Sequence, residues 1–217
     1  MLRKPQIASV VAEFLGTAIF VLVAVVLTET TAVSYFIGTS VAVALAVVYM
    51  IFGPISGGHF NPAVTFSMWT TRMFSTLRAA SYIAAQMLGA LAALELYQYF
   101  LNRTLPAKNM AFSTPMFLAE VVGTAIVVMA LTGALKRGYD AMQTAITYGA
   151  AFFVATMIAA TASSASLNPA TALALRNWNA IYVLGPLVGG LIGANLYMWL
   201  FADGIPVARS RFLRRRK

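Results

Sequence analysis

Two copies of the triplet Asn-Pro-Ala divide this chain into related halves. The first copy begins at Asn61 and the second at Asn168, 107 positions later (168 − 61). Each copy lies 48 positions after the glutamate of an Ala-Glu-x-x-Gly-Thr pattern, and these glutamates are Glu13 and Glu120. One triplet is expected by chance in roughly a few per cent of chains of this length. Two copies with matching upstream partners indicate an internal duplication.

The chain is more apolar than a soluble protein. Hydrophobic residues make up 60% of it and charged residues 10%, against about half and about a quarter in soluble domains. Six apolar stretches are each long enough to cross ~30 Å of hydrocarbon as a helix. They are 8–28, 34–52, 79–101, 115–134, 142–162 and 180–202.

Two further stretches, 61–70 and 168–177, begin at the triplets and are too short to span a bilayer; their one charged residue is Arg176. Ten helical residues rise ~15 Å, which is about half of the hydrocarbon thickness. The sequence therefore predicts an all-α membrane protein with six transmembrane helices and two re-entrant half-helices. The two three-helix repeats are expected to be inverted relative to each other.

We expect one transmembrane channel domain over residues 1–217, with repeats at 8–101 and 115–202 and a basic cytoplasmic tail at 203–217. Because each repeat holds an odd number of spans, the second repeat is inverted relative to the first. With both termini cytoplasmic, twelve of the fifteen Lys and Arg residues lie inside, in keeping with the positive-inside rule. The three outside are Arg103, Lys108 and Arg176.

We expect a multi-pass protein of a plasma membrane or cell inner membrane. The net charge of +9 would also suit nucleic acid, but six basic residues are crowded into positions 209–217. After a hydrophobic span, such a cluster favours anionic lipid as its partner, and no nucleic-acid partner is expected.

Each triplet is a signal for the start of a helix. Asparagine is a preferred N-cap residue, and proline is favoured at the first helical position. A helix start carries about half a positive charge, so two starts that meet at mid-membrane repel cations, and the asparagine N–H groups between them can donate to water or hydroxyl oxygens. The alternative is that both triplets start ordinary helices in surface loops. The predicted pore residues are Asn61, Pro62, Ala63, Asn168, Pro169 and Ala170.

The segment before each triplet, Ser56-Gly57-Gly58-His59 or Ser163-Ser164-Ala165-Ser166, is built mainly of small residues. Non-helical backbone at this depth must line water or pack within the protein. We expect Glu13 and Glu120 to accept N–H groups of these loops, with a proton relay as the alternative. His59 is interpreted as a loop-supporting residue, with a pH gate as the alternative.

Few residues are available for catalysis or metal binding. The chain has no cysteine, one histidine and six acidic residues, and no nucleophile–base set is visible. We therefore expect neither an enzyme nor a metal site, and no cofactor.

Several motifs resemble those of the aquaporin and glycerol-facilitator family, also called the major intrinsic proteins. The resemblance rests on the run from Ser56 to Thr65, on Ala12 to Thr17, on Ala85-Gln86 with Gly89, and on Gly185 to Gly190. It covers nearly the whole chain. It implies an hourglass channel in each subunit of a homotetramer, passing water or small neutral solutes without energy input.

The chain departs from the family at the outer constriction. The second triplet of family members is usually followed by arginine, where this chain has Thr171. Water-selective members usually carry an aromatic residue on the second span, where this chain has Val41, and a histidine on the fifth, where it has Thr156. Glycerol facilitators usually follow the arginine with an aspartate, where this chain has Ala172. Arg176 is a poor substitute, since it lies ~7.5 Å further along a helix. By resemblance, the constriction is formed by Val41, Thr156, Ala165 and Thr171.

Small side chains at these four positions predict an outer mouth wide enough for glycerol, urea or ammonia as well as water. Loss of the arginine also permits an alternative function, a channel that leaks cations or protons. A secondary transporter with inverted repeats and a non-conducting scaffold are further alternatives. A transporter would need paired charges within the membrane, which the sequence lacks, and a scaffold would leave the polar triplets unexplained.

Overall fold

The computed structural model describes residues 4–202, which contain eight α-helices and no strand. The helices are α1 (Lys4–Thr30), α2 (Ser34–Ser56), α3 (Pro62–Thr70), α4 (Thr76–Leu101), α5 (Thr114–Arg137), α6 (Ala141–Ala159), α7 (Pro169–Ala174) and α8 (Ala180–Leu200). All except α3 and α7 are long and apolar enough to cross a membrane. The predicted fold is therefore confirmed. The basic tail at 203–217 lies outside the described residues, as does Arg3.

The half-helices pack across the boundary between the repeats. Helix α3 of the first repeat lies against α8, the last span of the second repeat. Helix α7 of the second repeat lies in the same way against α4, the last span of the first. Each repeat therefore places its half-helix in the core of the other, which brings both half-helices to the centre of the molecule.

Glycines allow the spans of each repeat to approach closely. On α8, a methyl group at Gly189 would overlap the carbonyl oxygen of Val121 on α5, and one at Gly193 would overlap that of Ala125. On α4, a methyl group at Gly89 would lie 2.5 Å from the carbonyl oxygen of Phe14 on α1. Small residues at such contacts are typical of membrane helices, because association there depends on van der Waals packing.

The outer surface of the helix bundle is apolar. Large hydrophobic side chains on the spans are extensively exposed in the isolated subunit, among them Leu77, Val43, Leu88, Ile146 and Ile192. A soluble protein rarely exposes contiguous apolar surface on this scale. The exposure fits a molecule surrounded by hydrocarbon or by further subunits.

Both half-helices end in the same type of turn. The residue that ends each turn is an arginine with a positive φ angle, 58° at Arg72 after α3 and 57° at Arg176 after α7. The next N–H group bonds back into the helix, from Met73 to the Met68 carbonyl and from Asn177 to the Ala172 carbonyl. This pattern is a Schellman motif. Because of it, the second half-helix ends at Ala174, and the prediction of helix to residue 177 was too long.

We refer to the end of the molecule that contains the α7 terminus and the loop 102–113 as the outer end, following the expected orientation.

Candidate functional site

The two half-helices begin as the triplets predict. The side-chain oxygen of Asn61 accepts a hydrogen bond from the Ala63 N–H at 2.8 Å. That of Asn168 accepts from the Ala170 N–H at 2.9 Å. Both asparagines have extended backbones, and a proline follows each of them in the first turn of its helix. Each side chain thus caps its own helix in the way that favours asparagine at this position.

The two caps also bond to each other's loops at the centre of the molecule. The Asn61 side-chain nitrogen donates to the carbonyl of Leu167 at 2.9 Å, and that of Asn168 donates to the carbonyl of Phe60 at 3.0 Å. Both asparagines are buried. An amide nitrogen carries two hydrogens, so each side chain keeps a second donor beyond this bond. The helix starts therefore face each other in a reciprocal pair.

The carboxylate of Glu13 supports the loop before the first triplet. It is fully buried on α1 and accepts from the peptide N–H groups of His59 at 3.0 Å and Phe60 at 2.7 Å. The Ser56 hydroxyl donates to it at 2.6 Å, and the Gln86 amide donates at 2.8 Å. Four donors satisfy a charge that would otherwise be costly to bury.

Glu120 on α5 has the same contacts in the second repeat. It is fully buried and accepts from the N–H groups of Ser166 at 3.0 Å and Leu167 at 2.7 Å. The Ser163 hydroxyl donates to it at 2.7 Å. These distances agree with those at Glu13 to within about 0.1 Å, so the duplication is preserved at the level of individual hydrogen bonds.

The first loop has additional contacts that the second loop lacks. The Gln86 amide that bonds to Glu13 also donates to the Thr65 hydroxyl at 2.8 Å. His59 is buried, and its Nδ1 shares a 3.0 Å hydrogen bond with the same hydroxyl. The His59 carbonyl accepts from the Tyr148 hydroxyl at 2.9 Å. His59 is thus fixed by its side chain, its N–H and its carbonyl.

Both loops use left-handed backbone at equivalent positions. Gly58 and Ala165 have φ angles of 66° and 50°, and Phe60 and Leu167 have φ angles of 49° and 50°. An alanine, a phenylalanine and a leucine rarely adopt this conformation, which costs about 1–3 kcal/mol each. The hydrogen bonds to the buried carboxylates hold the loops in this form.

A cavity of about 30 Å³ lies at the outer side of the paired helix starts. A water molecule needs at least 10–15 Å³ of such volume, so the cavity has room for about two. All four residues of the predicted constriction line it, and each is at most 9% exposed. They are Val41 on α2, Thr156 on α6, Ala165 in the second loop and Thr171 on α7.

Two side chains in this cavity have unsatisfied polar groups. The hydroxyls of Thr156 and Thr171 are buried and have no hydrogen-bond partner within the described residues. Unpaired buried hydroxyls are uncommon in proteins, and a mobile solvent or solute molecule is a common reason for them. Ser164 and Ser166, whose hydroxyls lie 3.3 Å apart, also line the cavity.

Sequence reasoning missed the aromatic residues of this wall. Phe20 on α1 and Phe152 on α6 both line the cavity, and their rings pack edge to face with centroids 5.4 Å apart. The outer mouth is therefore narrower than the four predicted residues alone imply. Phe152 could have been suggested by its position one helical turn before Thr156, whereas nothing in the sequence distinguishes Phe20 from other apolar residues of its span. Arg176 is exposed and does not line the cavity.

Comparisons with known proteins agree with this geometry. The family model for the major intrinsic proteins matches residues 1–197. Aquaporin Z of Photorhabdus laumondii is 30% identical over 181 residues, which cover 72% of this chain and 78% of that protein. Aquaporin NIP1-1 of Oryza sativa is 32% identical over 213 residues, covering 89% of this chain and 74% of the relative.

Two further matches have lower sequence identity. Aquaporin-4 of Bos taurus is 29% identical over 180 residues, which cover 76% of this chain but only 55% of the relative's length. Among solved structures, the aquaglyceroporin from Plasmodium falciparum has the same fold, with a TM-score of 0.74 at 20% identity. That match covers 92% of this chain and 97% of the other.

Proposed function

Because the chain belongs to the major intrinsic protein family, and is thus a passive membrane channel rather than an enzyme, we propose that its filter admits small neutral solutes besides water. The family assignment drawn from the motifs is confirmed by the match over residues 1–197. Glycerol, urea and ammonia are the proposed solutes. The observation that carries the proposal is the pair of unpartnered threonine hydroxyls in an uncharged filter.

These hydroxyls suit a neutral solute for a chemical reason. Thr156 and Thr171 can each donate one hydrogen bond and accept others, so they can replace water around an O–H or N–H group. Neither they nor Val41 and Ala165 carry charge. The rings of Phe20 and Phe152 provide an apolar wall for the carbon part of a solute.

We further propose that the paired helix starts act as the central barrier to cations. The second donor of each asparagine side chain bonds a passing oxygen. The partial positive charges of α3 and α7 oppose the passage of a hydrated cation. Glu13, Glu120 and His59 serve this barrier indirectly, because they hold the loops from which the two helices start.

Swelling of proteoliposomes in glycerol, urea or ammonia gradients tests the filter. The wild type is expected to pass water and at least one of these solutes. Thr171→Arg should reduce glycerol and urea flux at least tenfold, because the long arginine side chain fills a cavity of about 30 Å³. Thr171→Val is the matched control, since it keeps the shape and removes one hydroxyl. We expect it to reduce solute flux only about fivefold, the effect of about one neutral hydrogen bond. Water flux with rejection of all three solutes would refute the proposal.

A cation- or proton-leaky channel is the second candidate. It is favoured by one observation, the presence of Thr171 where most family members place a cation. Single-channel current in planar bilayers distinguishes the two candidates: neutral solute flux without current supports the first, and a steady cation current supports the second.

The assembly and orientation also belong to this proposal. Family resemblance suggests a homotetramer, and the apolar surface of the isolated subunit would allow it. We propose that both termini are cytoplasmic and that the protein lies in a plasma membrane or cell inner membrane. The mass of the detergent-solubilised protein and protease access to the tail in sealed vesicles test these statements.

A further inference from the structure

The filter carries no charged side chain, so it does not itself explain how cations are kept away from the outer mouth. None of the residues that line the filter cavity is charged. The nearest charges in sequence are one residue outside it: Glu29 follows the lining residue Thr28, and Arg176 follows the lining residue Leu175. The backbone at these two positions adjoins the cavity, near the end of α1 and just after the end of α7.

Arg176 is held at this border by its backbone. It occupies the left-handed position of the turn that ends α7, and its N–H donates to the Leu173 carbonyl at 3.1 Å. Its side chain is exposed and makes no ion pair within the described residues. The guanidinium therefore contributes a full positive charge that no acid in residues 4–202 neutralises by contact.

The loop that joins the repeats places a second cation, Lys108, next to Arg176. The N–H of Lys108 donates to the Arg176 carbonyl at 2.8 Å, which brings the two backbones into contact. The Lys108 ammonium pairs with the Glu29 carboxylate at 2.9 Å, with 38% and 18% of the two side chains exposed. The loop is further anchored by the buried Leu105, whose N–H donates to the Gln98 side chain at 2.8 Å.

We propose that Glu29, Lys108 and Arg176 form a charged rim around the outer entrance, and that the single net positive charge of this rim reduces the entry of cations. From outside the filter, the rim provides part of the cation repulsion that an arginine provides in family members that carry one at the position of Thr171. It acts on ions before they lose water, so its effect is long-range and depends on salt. At about 10 mM salt the Debye length is about 30 Å, and at about 1 M it is about 3 Å.

A series of variants that changes the rim charge in both directions tests the proposal. Lys108→Gln and Arg176→Gln each bring the rim to neutral, and the double variant makes it negative. Glu29→Gln makes it more positive. Potassium influx from the outer side, measured in proteoliposomes at about 10 mM salt, should change about threefold for each unit of charge. It should rise with the first two variants, rise most with the double variant, and fall with Glu29→Gln. At about 1 M salt these differences should disappear.

Opposite effects of Glu29→Gln and Lys108→Gln separate charge from structure. Both variants break the same ion pair, so a rim that only anchors the loop would make them change influx in the same direction. Arg103→Gln is the matched control, because Arg103 is an exposed cation of the same loop that makes no contact with the rim. It should raise influx by less than Lys108→Gln does, because the effect of a charge falls with its distance from the entrance. Water flux, measured on the same vesicles, shows that every variant is folded. Flux of glycerol, urea and ammonia through the wild type tests the solute proposal independently of the potassium series. Equal influx in all variants would overturn the proposal, and so would a double variant without detectable influx.

Discussion

At the scale of single residues, two buried carboxylates determine the shape of the pore loops. Glu13 and Glu120 each bind two successive peptide N–H groups, and no other group in the described residues satisfies those four donors. The sequence suggested this arrangement because the two acids occupy equivalent positions in the repeats. It gave no sign of Phe20, because a nearly uniform apolar span does not reveal which of its faces lies toward the pore.

The matching glutamates allow a paired test. Glu13→Gln and Glu120→Gln keep the shape of the side chain, but replace one of two acceptor oxygens with an N–H₂ group that cannot accept from a peptide N–H. Each variant should lose at least about 1–3 kcal/mol of stability, the cost of leaving one buried peptide N–H without an acceptor. Thermal unfolding in detergent measures the loss. Glu95→Gln is the control, because Glu95 is exposed. Wild-type stability in both variants would show that the loops hold their conformation without the carboxylates.

At the scale of secondary-structure elements, the starts of the half-helices were predictable and one of their ends was not. Asn-Pro marks both starts, because the cap and the first-turn proline are strong local signals. The end of α7 depends on Arg176 in a left-handed conformation. Sequence reasoning expects glycine or asparagine there, so an arginine gives no warning of the turn. Glycines recur at every fourth position of the last span, and all three of them, Gly185, Gly189 and Gly193, lie where α8 makes its tight contact with α5.

The contact between α5 and α8 can be tested at one glycine. Gly189→Ala places a methyl group against the Val121 carbonyl oxygen, and the overlap can be relieved only by moving backbone. Overpacking of this kind costs about 1–3 kcal/mol. We expect a lower melting temperature in detergent and lower water flux, since α8 also packs against α3. Ile192→Ala changes an exposed residue of the same helix and should leave both quantities nearly unchanged. Equal behaviour of the two variants would contradict the described packing.

At the scale of the whole molecule, the inverted duplication explains why one short chain can build a pore. Each repeat supplies one half-helix, and each half-helix packs in the other repeat, so neither repeat alone encloses the path. The duplication and the span lengths made this architecture predictable. The contacts that join Lys108 to Glu29 and to Arg176 were not predictable in the same way, because Lys108 lies in the connection between the repeats and has no equivalent in the other half.

The central claim is that water crosses the protein beside the paired helix starts and through the filter at Thr171. The chain contains no cysteine, so Thr171→Cys introduces a single thiol at that point. Stopped-flow water permeability in the presence of a mercurial is the most direct measurement. Wild-type flux should be insensitive, while the flux of the variant should fall to near the background and recover with a reducing thiol. Unchanged flux through a variant whose mass shows complete labelling would place the path elsewhere and contradict the account.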